Sequence, residues 1–197
     1  MNNLDVLQAN ELLLKPELTL LDEIPQAGMG IVVRQGRFTD LGLFAEVQSR
    51  HPHLKAIELP GRLLMPGFID THNHLTQSYG KALAFGEPSE IFKRIWVPLE
   101  QHLTVEDLEI SAQLSAFESM RGGFTTVCDA GTRSEAGLEA IETAVNTVGM
   151  RCVLSKICHD LGQSPAQTSE LEKQASQHLA RYPSDGLIHP SLAIAIP

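Results

Sequence analysis

Hydrophobic and polar positions follow two different patterns along this chain. In residues 1–62, short apolar or β-branched runs alternate with turn residues, which predicts strands at 5–9, 30–34 and 56–59. We expect a turn after the second run and an end to the third at Pro60-Gly61. Residues 38–50 fit either an irregular segment or a short helix. The segment is β-rich and too small to enclose a good core, so we expect it to pack on another part of the protein.

From Leu63 onward the pattern changes to strands that alternate with helices. Apolar runs predict a buried strand at 64–71 and further strands at 124–129, 150–158 and 187–196. Helices are expected at 91–100, 105–121, 135–148 and 165 to about 181. Thr104 with Asp107 predicts the cap of the second helix. Alternation of this kind forms right-handed βαβ units around a parallel sheet, either open or half of a (β/α)8 barrel.

Composition and charge narrow the class of protein. The 197 residues are 43 % hydrophobic and 20 % charged, which is ordinary for a soluble globular chain. The net charge of -9 argues against nucleic acid and anionic membranes as partners. The amino-terminal residues lack the pattern of a signal peptide, so we expect a cytoplasmic protein. The three cysteines are too scattered for a disulfide framework.

Two His-x-His pairs are candidates for metal binding. His72 and His74 follow the first strand of the alternating region, and side chains at i and i+2 of a strand point the same way. A catalytic zinc needs about three protein ligands and an open position, so these two make half of a site. The other pair, His51 and His53, lies in a polar loop broken by Pro52, and we interpret it as surface.

The residues around His72 carry a family resemblance. The run Leu-Met-Pro-Gly-Phe-Ile-Asp-Thr-His-Asn-His at 64–74 resembles the first barrel strand of the amidohydrolase superfamily, Pro-Gly-hydrophobic-Ile-Asp-x-His-x-His. Residues 121–129, Arg-Gly-Gly-Phe-Thr-Thr-Val-Cys-Asp, resemble the family's second strand. The resemblance implies that 63–197 is the N-terminal half of a (β/α)8 TIM barrel, an α/β fold. It also implies that residues 1–62, which precede the barrel, are a small β-sandwich segment of a composite domain.

Within that superfamily, one branch is the more similar. Residues 72–77, His-Asn-His-Leu-Thr-Gln, resemble the His-x-His-x-x-Gln of aminohydrolases such as guanine, 8-oxoguanine and triazine deaminases. This resemblance implies that Gln77 contacts the substrate; the alternative is a polar cap of the loop. Binuclear members carry a carbamylated lysine on the fourth strand, whereas here the nearest lysine, Lys156, is on the third. The resemblance therefore favours one divalent metal ion, first Zn2+, with Fe2+ as the alternative.

The resemblance also implies a reaction. His72 and His74, with ligands from later strands, would hold the metal, which lowers the pKa of bound water and supplies hydroxide to a ring carbon, and ammonia then leaves. This is hydrolysis of a carbon-nitrogen bond other than a peptide bond, in a nucleobase-like or other nitrogen heterocycle. The implied general acid/base lies beyond residue 197, so we expect an inactive fragment without a catalytic residue of its own. Cyclic-amide ring-opening, heterocycle dehalogenation and a non-enzymatic half-barrel stay open, as does a homo-oligomeric full-length form.

Other polar and aromatic residues receive structural interpretations. Asp70 is expected to order the strand end. Asp129 is expected to bond loop amides or, alternatively, to orient a ligand imidazole. The remaining interpretations are a helix-to-loop tie for Glu118, a helix-surface position for His178, packing for Phe92 and Trp96, and either pocket or surface for His159.

Overall fold

The computed structural model describes residues 10–87, 90–132, 134, 136–159 and 163–194. It divides into two compact units, Met1–Pro66 and Gly67–Pro197. The strand predicted at 5–9 lies outside the described residues, as do the first residue of the helix predicted at 135–148 and residues 195–196 of the last predicted strand.

The first unit is a five-stranded sheet organised around β1 (Glu11–Thr19). The other strands are β2 (Gln26–Ala27), β3 (Met29–Arg34), β4 (Arg37–Leu43) and β5 (Ala56–Leu64). β1 pairs antiparallel with β2 and β3 and parallel with β5, and β3 pairs antiparallel with β4. One helix, α1 (Phe44–Arg50), places Val47 against the buried Leu13 and Val32. The strand predicted at 30–34 is confirmed.

Two features of this sheet differ from the sequence prediction. β1 was not predicted, because its polar centre, Lys15-Pro16-Glu17, interrupts the apolar alternation. β5 was predicted to end at Pro60, but it continues to Leu64 and shifts register opposite Pro16. Among the described residues β5 pairs only with β1, and an edge strand tolerates a proline because a missing N–H there breaks no ladder bond.

The second unit is built on four parallel strands. They are β6 (Phe68–Asn73), β7 (Phe124–Asp129), β8 (Arg151–Cys158) and β9 (Ile188–Ile194). Each strand pairs with the next in chain order. A doubly wound sheet reverses its strand order at a switch point, and these four strands show no reversal. The predicted α/β class with a parallel sheet is confirmed.

Helical segments connect these strands. They are a 3-10 helix (Leu75–Gly80), α2 (Lys81–Ala84), a π-helical turn (Phe92–Trp96), α3 (Val97–His102), α4 (Val105–Arg121), α5 (Gly137–Val148) and α6 (Pro165–Ala180). The predicted cap of α4 is confirmed: the Asp107 amide donates to Thr104 Oγ1 at 3.2 Å, and the Thr104 amide donates to Asp107 Oδ2 at 3.0 Å. No helix in the described part of the chain is long and apolar enough to cross a membrane.

The core of this unit lies between the helices and the sheet. Its fully buried members include Leu75, Ala112, Val127, Ile141 and Leu154. The prediction of a buried strand at 64–71 was wrong in its start and its burial. Met65-Pro66-Gly67 breaks the run, so β6 starts at Phe68, and as an edge strand it leaves Ile69 61 % exposed.

The break before β6 also explains one glycine. A Cβ on Gly67 would lie 2.2 Å from Thr125 Oγ1 of β7, far inside a normal contact. A residue without a side chain is therefore needed where the chain enters the sheet.

Candidate active site

The two histidines of the second unit lie together where β6 ends. The ring centroids of His72 and His74 are 5.1 Å apart, and the rings meet edge to face at 82°. His72 is exposed and His74 is half-buried. The sequence prediction that the two imidazoles project to one side agrees with this proximity. Imidazole nitrogens are zinc ligands, so the pair fits a metal ion of that class.

Asp70 orders the strand end that carries these rings. Its Oδ1 accepts a hydrogen bond from the His72 amide at 3.1 Å, and its Oδ2 accepts one from Asn73 Nδ2 at 2.8 Å. Both bonds are local, and they hold the backbone across the register shift between Asp70 and Asn73. The expected structural role of Asp70 is confirmed.

Asp129, at the end of β7, fixes the chain directly after His74. Its buried carboxylate accepts from the Leu75 amide at 2.7 Å and from the Gly131 amide at 2.8 Å. The pKa of Asp129 is raised to about 6, and the largest cause is burial of the carboxyl group. The two amides and His72 act in the opposite direction and lower this pKa, whereas nearby Glu100 raises it. The interpretation of Asp129 as an acceptor for loop amides is therefore confirmed.

The 3-10 helix after the histidines is buried and held by polar side chains. Gln77 Nε2 donates to Glu100 Oε1 at 2.9 Å, and both residues are buried. Ser111 Oγ of α4 donates to the Thr76 carbonyl at 2.9 Å. Together with the Asp129 bond to Leu75, these contacts tie the segment to β7, α3 and α4. The sequence did not place Glu100 in the site, because its contact with Gln77 exists only through the fold.

A cleft of about 320 Å³ opens beside the histidines. Its walls are His72, Asn73, His74, Gln77, Lys81, Trp96, Ser115, Glu118 and Ser119. Lys81 and Glu118 form an ion pair across the wall, so Glu118 does tie α4 to a neighbouring segment, but that segment is the helix α2 and not the predicted loop. His159 is exposed and does not line this cleft. The structure thus brings His72, His74 and Gln77 to one cavity.

The other histidine pair, His51 and His53, contacts carboxylates of the first unit that the sequence did not place beside it. Ligand atoms of His51, His53 and Glu11 lie within 4.8 Å of one another, which makes a second candidate metal cluster. Glu11 was not predicted near these histidines, because β1 brings it from forty positions away. Arg34 pairs with Glu11 and lowers its pKa, and Asp40 Oδ2 lies 3.0 Å from His51 Nε2. The cluster is therefore also a network of ion pairs at the surface of the first unit.

One histidine was assigned to the wrong environment. His178 was predicted on the helix surface, but it is buried, its Nε2 lies 2.9 Å from the Leu154 carbonyl, and its ring packs against Tyr182. α6 turns this position toward β8, so a polar side chain that looks solvent-exposed in the sequence serves as a core partner.

The strand count also bears on the number of metal ions. Lys156 lies on β8, the third parallel strand, as predicted, and the described part of the fourth strand, β9, contains no lysine.

Comparison with known proteins identifies relatives of the chain. The amidohydrolase family matches residues 63–197. The chain is 28 % identical over 177 residues to a 5-methylthioadenosine/S-adenosylhomocysteine deaminase of Thermodesulfovibrio yellowstonii, covering 87 % of this chain and 39 % of that protein.

Two solved structures show the same fold. Guanine deaminase from E. coli superposes with a TM-score of 0.71 at 19 % identity, over 92 % of this chain and 45 % of that one. An atrazine chlorohydrolase from Arthrobacter aurescens, complexed with zinc and atraton, superposes with a TM-score of 0.73 at 16 % identity, over 93 % and 46 %. The chain spans less than half the length of these relatives.

Proposed function

Because the chain belongs to the amidohydrolase family, we propose that it supplies part of the active site of a metal-dependent hydrolase that deaminates a nitrogen heterocycle. The bond hydrolysed is a carbon-nitrogen bond other than a peptide bond. The observation that carries this proposal is the placement of two adjacent imidazoles and Gln77 on one cleft. The related deaminase named above supports the reaction type.

The fold supports a barrel as the framework. We propose that β6 to β9 and their helices are the first four βα units of a (β/α)8 barrel, since successive parallel neighbours are the order of such a barrel. The carboxyl ends of barrel strands carry the active site, and His72, His74 and Asp129 lie at such ends. β6 and β9 form the two edges of the described sheet, where further strands would pair.

His72 and His74 would hold one divalent ion, for which Zn2+ is the first candidate and Fe2+ the alternative. When bound, such an ion lowers the pKa of its bound water to near neutral. The described residues around the cleft bring only these two ligands together, so the remaining ligands come from outside that set. Asp70 and Asp129 hold the backbone on either side of the two imidazoles, which positions both rings for binding.

Gln77 is the substrate contact in this proposal. Its side chain is only 8 % exposed, lies on the wall of the cleft and ends in an amide that can both donate and accept hydrogen bonds. Trp96 supplies an apolar ring on the same wall. A flat, polar-edged heterocycle matches this combination of an amide and an aromatic ring.

Release of ammonia tests the proposal. The polypeptide that carries this chain in its native reading frame is loaded with Zn2+ and offered aminopurines, 5′-deoxyadenosine-type nucleosides and aminotriazines. We expect ammonia in a 1:1 ratio with the hydroxylated product for at least one class. A product formed without ammonia contradicts deamination.

A second reaction is heterocycle dehalogenation, which the superposition on an atrazine chlorohydrolase favours. Chlorotriazines are therefore included in the same assay. Chloride release from these compounds, with no ammonia from any amine, would replace the first proposal by this one.

A further inference from the structure

We propose that Glu100 is a positioning residue that fixes the Gln77 amide so that its oxygen faces the substrate, which selects heterocycles that offer an N–H donor there. The inference rests on the proposed function, because it assigns a specificity role within the same cleft. Glu100 does not line the cleft itself and would act through Gln77.

Glu100 is a buried acidic residue. Its side chain, on α3, is 2 % exposed, and carboxylates are almost never buried to this extent unless they are paired. The pair includes Gln77, whose Nε2 lies 2.9 Å from Glu100 Oε1. A buried carboxyl group held against the Gln77 amide on the cleft wall points to a role in orienting that amide.

The carboxyl group of Glu100 and the amide of Gln77 differ in the hydrogen bonds they can make. An ionised carboxylate only accepts hydrogen bonds, whereas a primary amide donates from nitrogen and accepts at oxygen. Rotating the Gln77 amide by 180° would place its oxygen against the Glu100 oxygen, with no hydrogen between them. Glu100 therefore allows one orientation, and the planar amide then directs Oε1 away from Glu100.

The backbone that carries Gln77 is anchored by hydrogen bonds. Thr76 accepts from Ser111, and Leu75 donates to Asp129, so both preceding residues are anchored by buried bonds. The Gln77 amide itself donates to the His74 carbonyl at 3.0 Å. With the backbone held in this way, the side-chain amide keeps its acceptor at a fixed place beside the histidines.

The consequence for substrates is a preference at one edge of the ring. A fixed acceptor pairs with a ring N–H and leaves a bare ring nitrogen facing an oxygen. Guanine and 2-aminopurine form such a pair of test substrates, because N1 of 2-aminopurine carries no hydrogen.

The test compares Glu100→Gln with Glu109→Gln in the polypeptide used for the ammonia assay. Glu109 is the matched control, because it accepts a bond from Gln113 Nε2 at 3.1 Å on α4 and does not line the cleft. In wild type we expect the donor substrate to be preferred by about 10-fold or more in kcat/KM, mainly through KM. Glu100→Gln should reduce this preference by about 10-fold, because a neutral amide accepts either orientation of Gln77.

A second measurement keeps the inference separable from the proposed function. The side-chain amide resonances of Gln77, assigned by their loss in Gln77→Leu, are recorded by NMR without any substrate. We expect Glu100→Gln to shift them upfield and Glu109→Gln to leave them unchanged, because a charged acceptor makes the stronger bond. An unchanged Gln77 resonance or an unchanged substrate preference in Glu100→Gln overturns the inference, whereas absence of ammonia from wild type overturns the proposed function alone.

Discussion

Replacing Gly80 by alanine tests the packing of the segment that follows the histidines. A Cβ at Gly80 would lie 2.1 Å from Trp96 Cζ3 and 2.8 Å from Leu99 Cδ2. Gly80 has φ −84°, which alanine adopts without strain, so the effect comes from crowding alone. The indole ring and the leucine must both move to admit one methyl group.

The magnitude follows from two opposing effects. Overpacking a well-packed site costs about 1–3 kcal/mol. Glycine to alanine at a compatible backbone position returns roughly 0.4–1 kcal/mol, because the unfolded chain becomes less flexible. The difference between these two ranges is roughly 0 to 2.6 kcal/mol, so we expect Gly80→Ala to lower the free energy of unfolding by about 1.3 kcal/mol, the midpoint.

Urea unfolding followed by fluorescence measures both the loss of stability and the changed surroundings of Trp96. The chain contains a single tryptophan, so the emission of the 197-residue chain reports Trp96 directly. We expect a lower unfolding midpoint and a changed native emission maximum. Gly42→Ala is the control, because its nearest contacts would be an ordinary 3.7 Å. A Gly80→Ala variant as stable as wild type, with unchanged emission, would refute the packing at this position.

Two further predictions concern Asp129. Asp129→Ala removes the acceptor of two buried amides. We expect this variant to lose about 2–4 kcal/mol in the free energy of unfolding at pH 7, measured by urea unfolding. A loss below about 0.5 kcal/mol would contradict these hydrogen bonds. Because the pKa of Asp129 is raised to about 6 in the folded chain, the native state holds more protons than the unfolded state between pH 4 and 6. The stabilisation from its protonation is therefore fully present below pH 4 and is lost as pH rises through 6, a change of up to ~3 kcal/mol. The difference in unfolding free energy between wild type and Asp129→Asn should fall over this window, and a difference independent of pH would show that the pKa is not raised.

Where local sequence carried the information, the fold was predictable. β7 matches its predicted bounds, because Gly122-Gly123 ends a capped helix and a β-branched run follows. β5 was cut short in the prediction, because Pro60-Gly61 ends most strands but is tolerated at a sheet edge. Local signals therefore located most elements, and the pairing of strands decided their ends.

The candidate site was predictable only in part. The His72 and His74 pair was found from strand alternation and from a resemblance, and both depend on neighbouring residues. The contacts of Asp129 with Leu75 and of Glu100 with Gln77 join residues 54 and 23 positions apart, which no local pattern encodes. The same limit explains the missed approach of Glu11 to the other histidine pair.

The two His-x-His pairs give the most direct test of the central claim, that His72 and His74 are the metal ligands of a deaminase site. Ammonia release by the polypeptide that carries this chain is measured for wild type, His72→Ala/His74→Ala and His51→Ala/His53→Ala. We expect the first double variant to lose at least about 100-fold in kcat/KM, since even partners of metal ligands are worth 10–100-fold. The second should stay within about two-fold of wild type, because its ion pairs lie on the surface of the first unit. Activity that survives without His72 and His74, or that disappears without His51 and His53, would contradict the account.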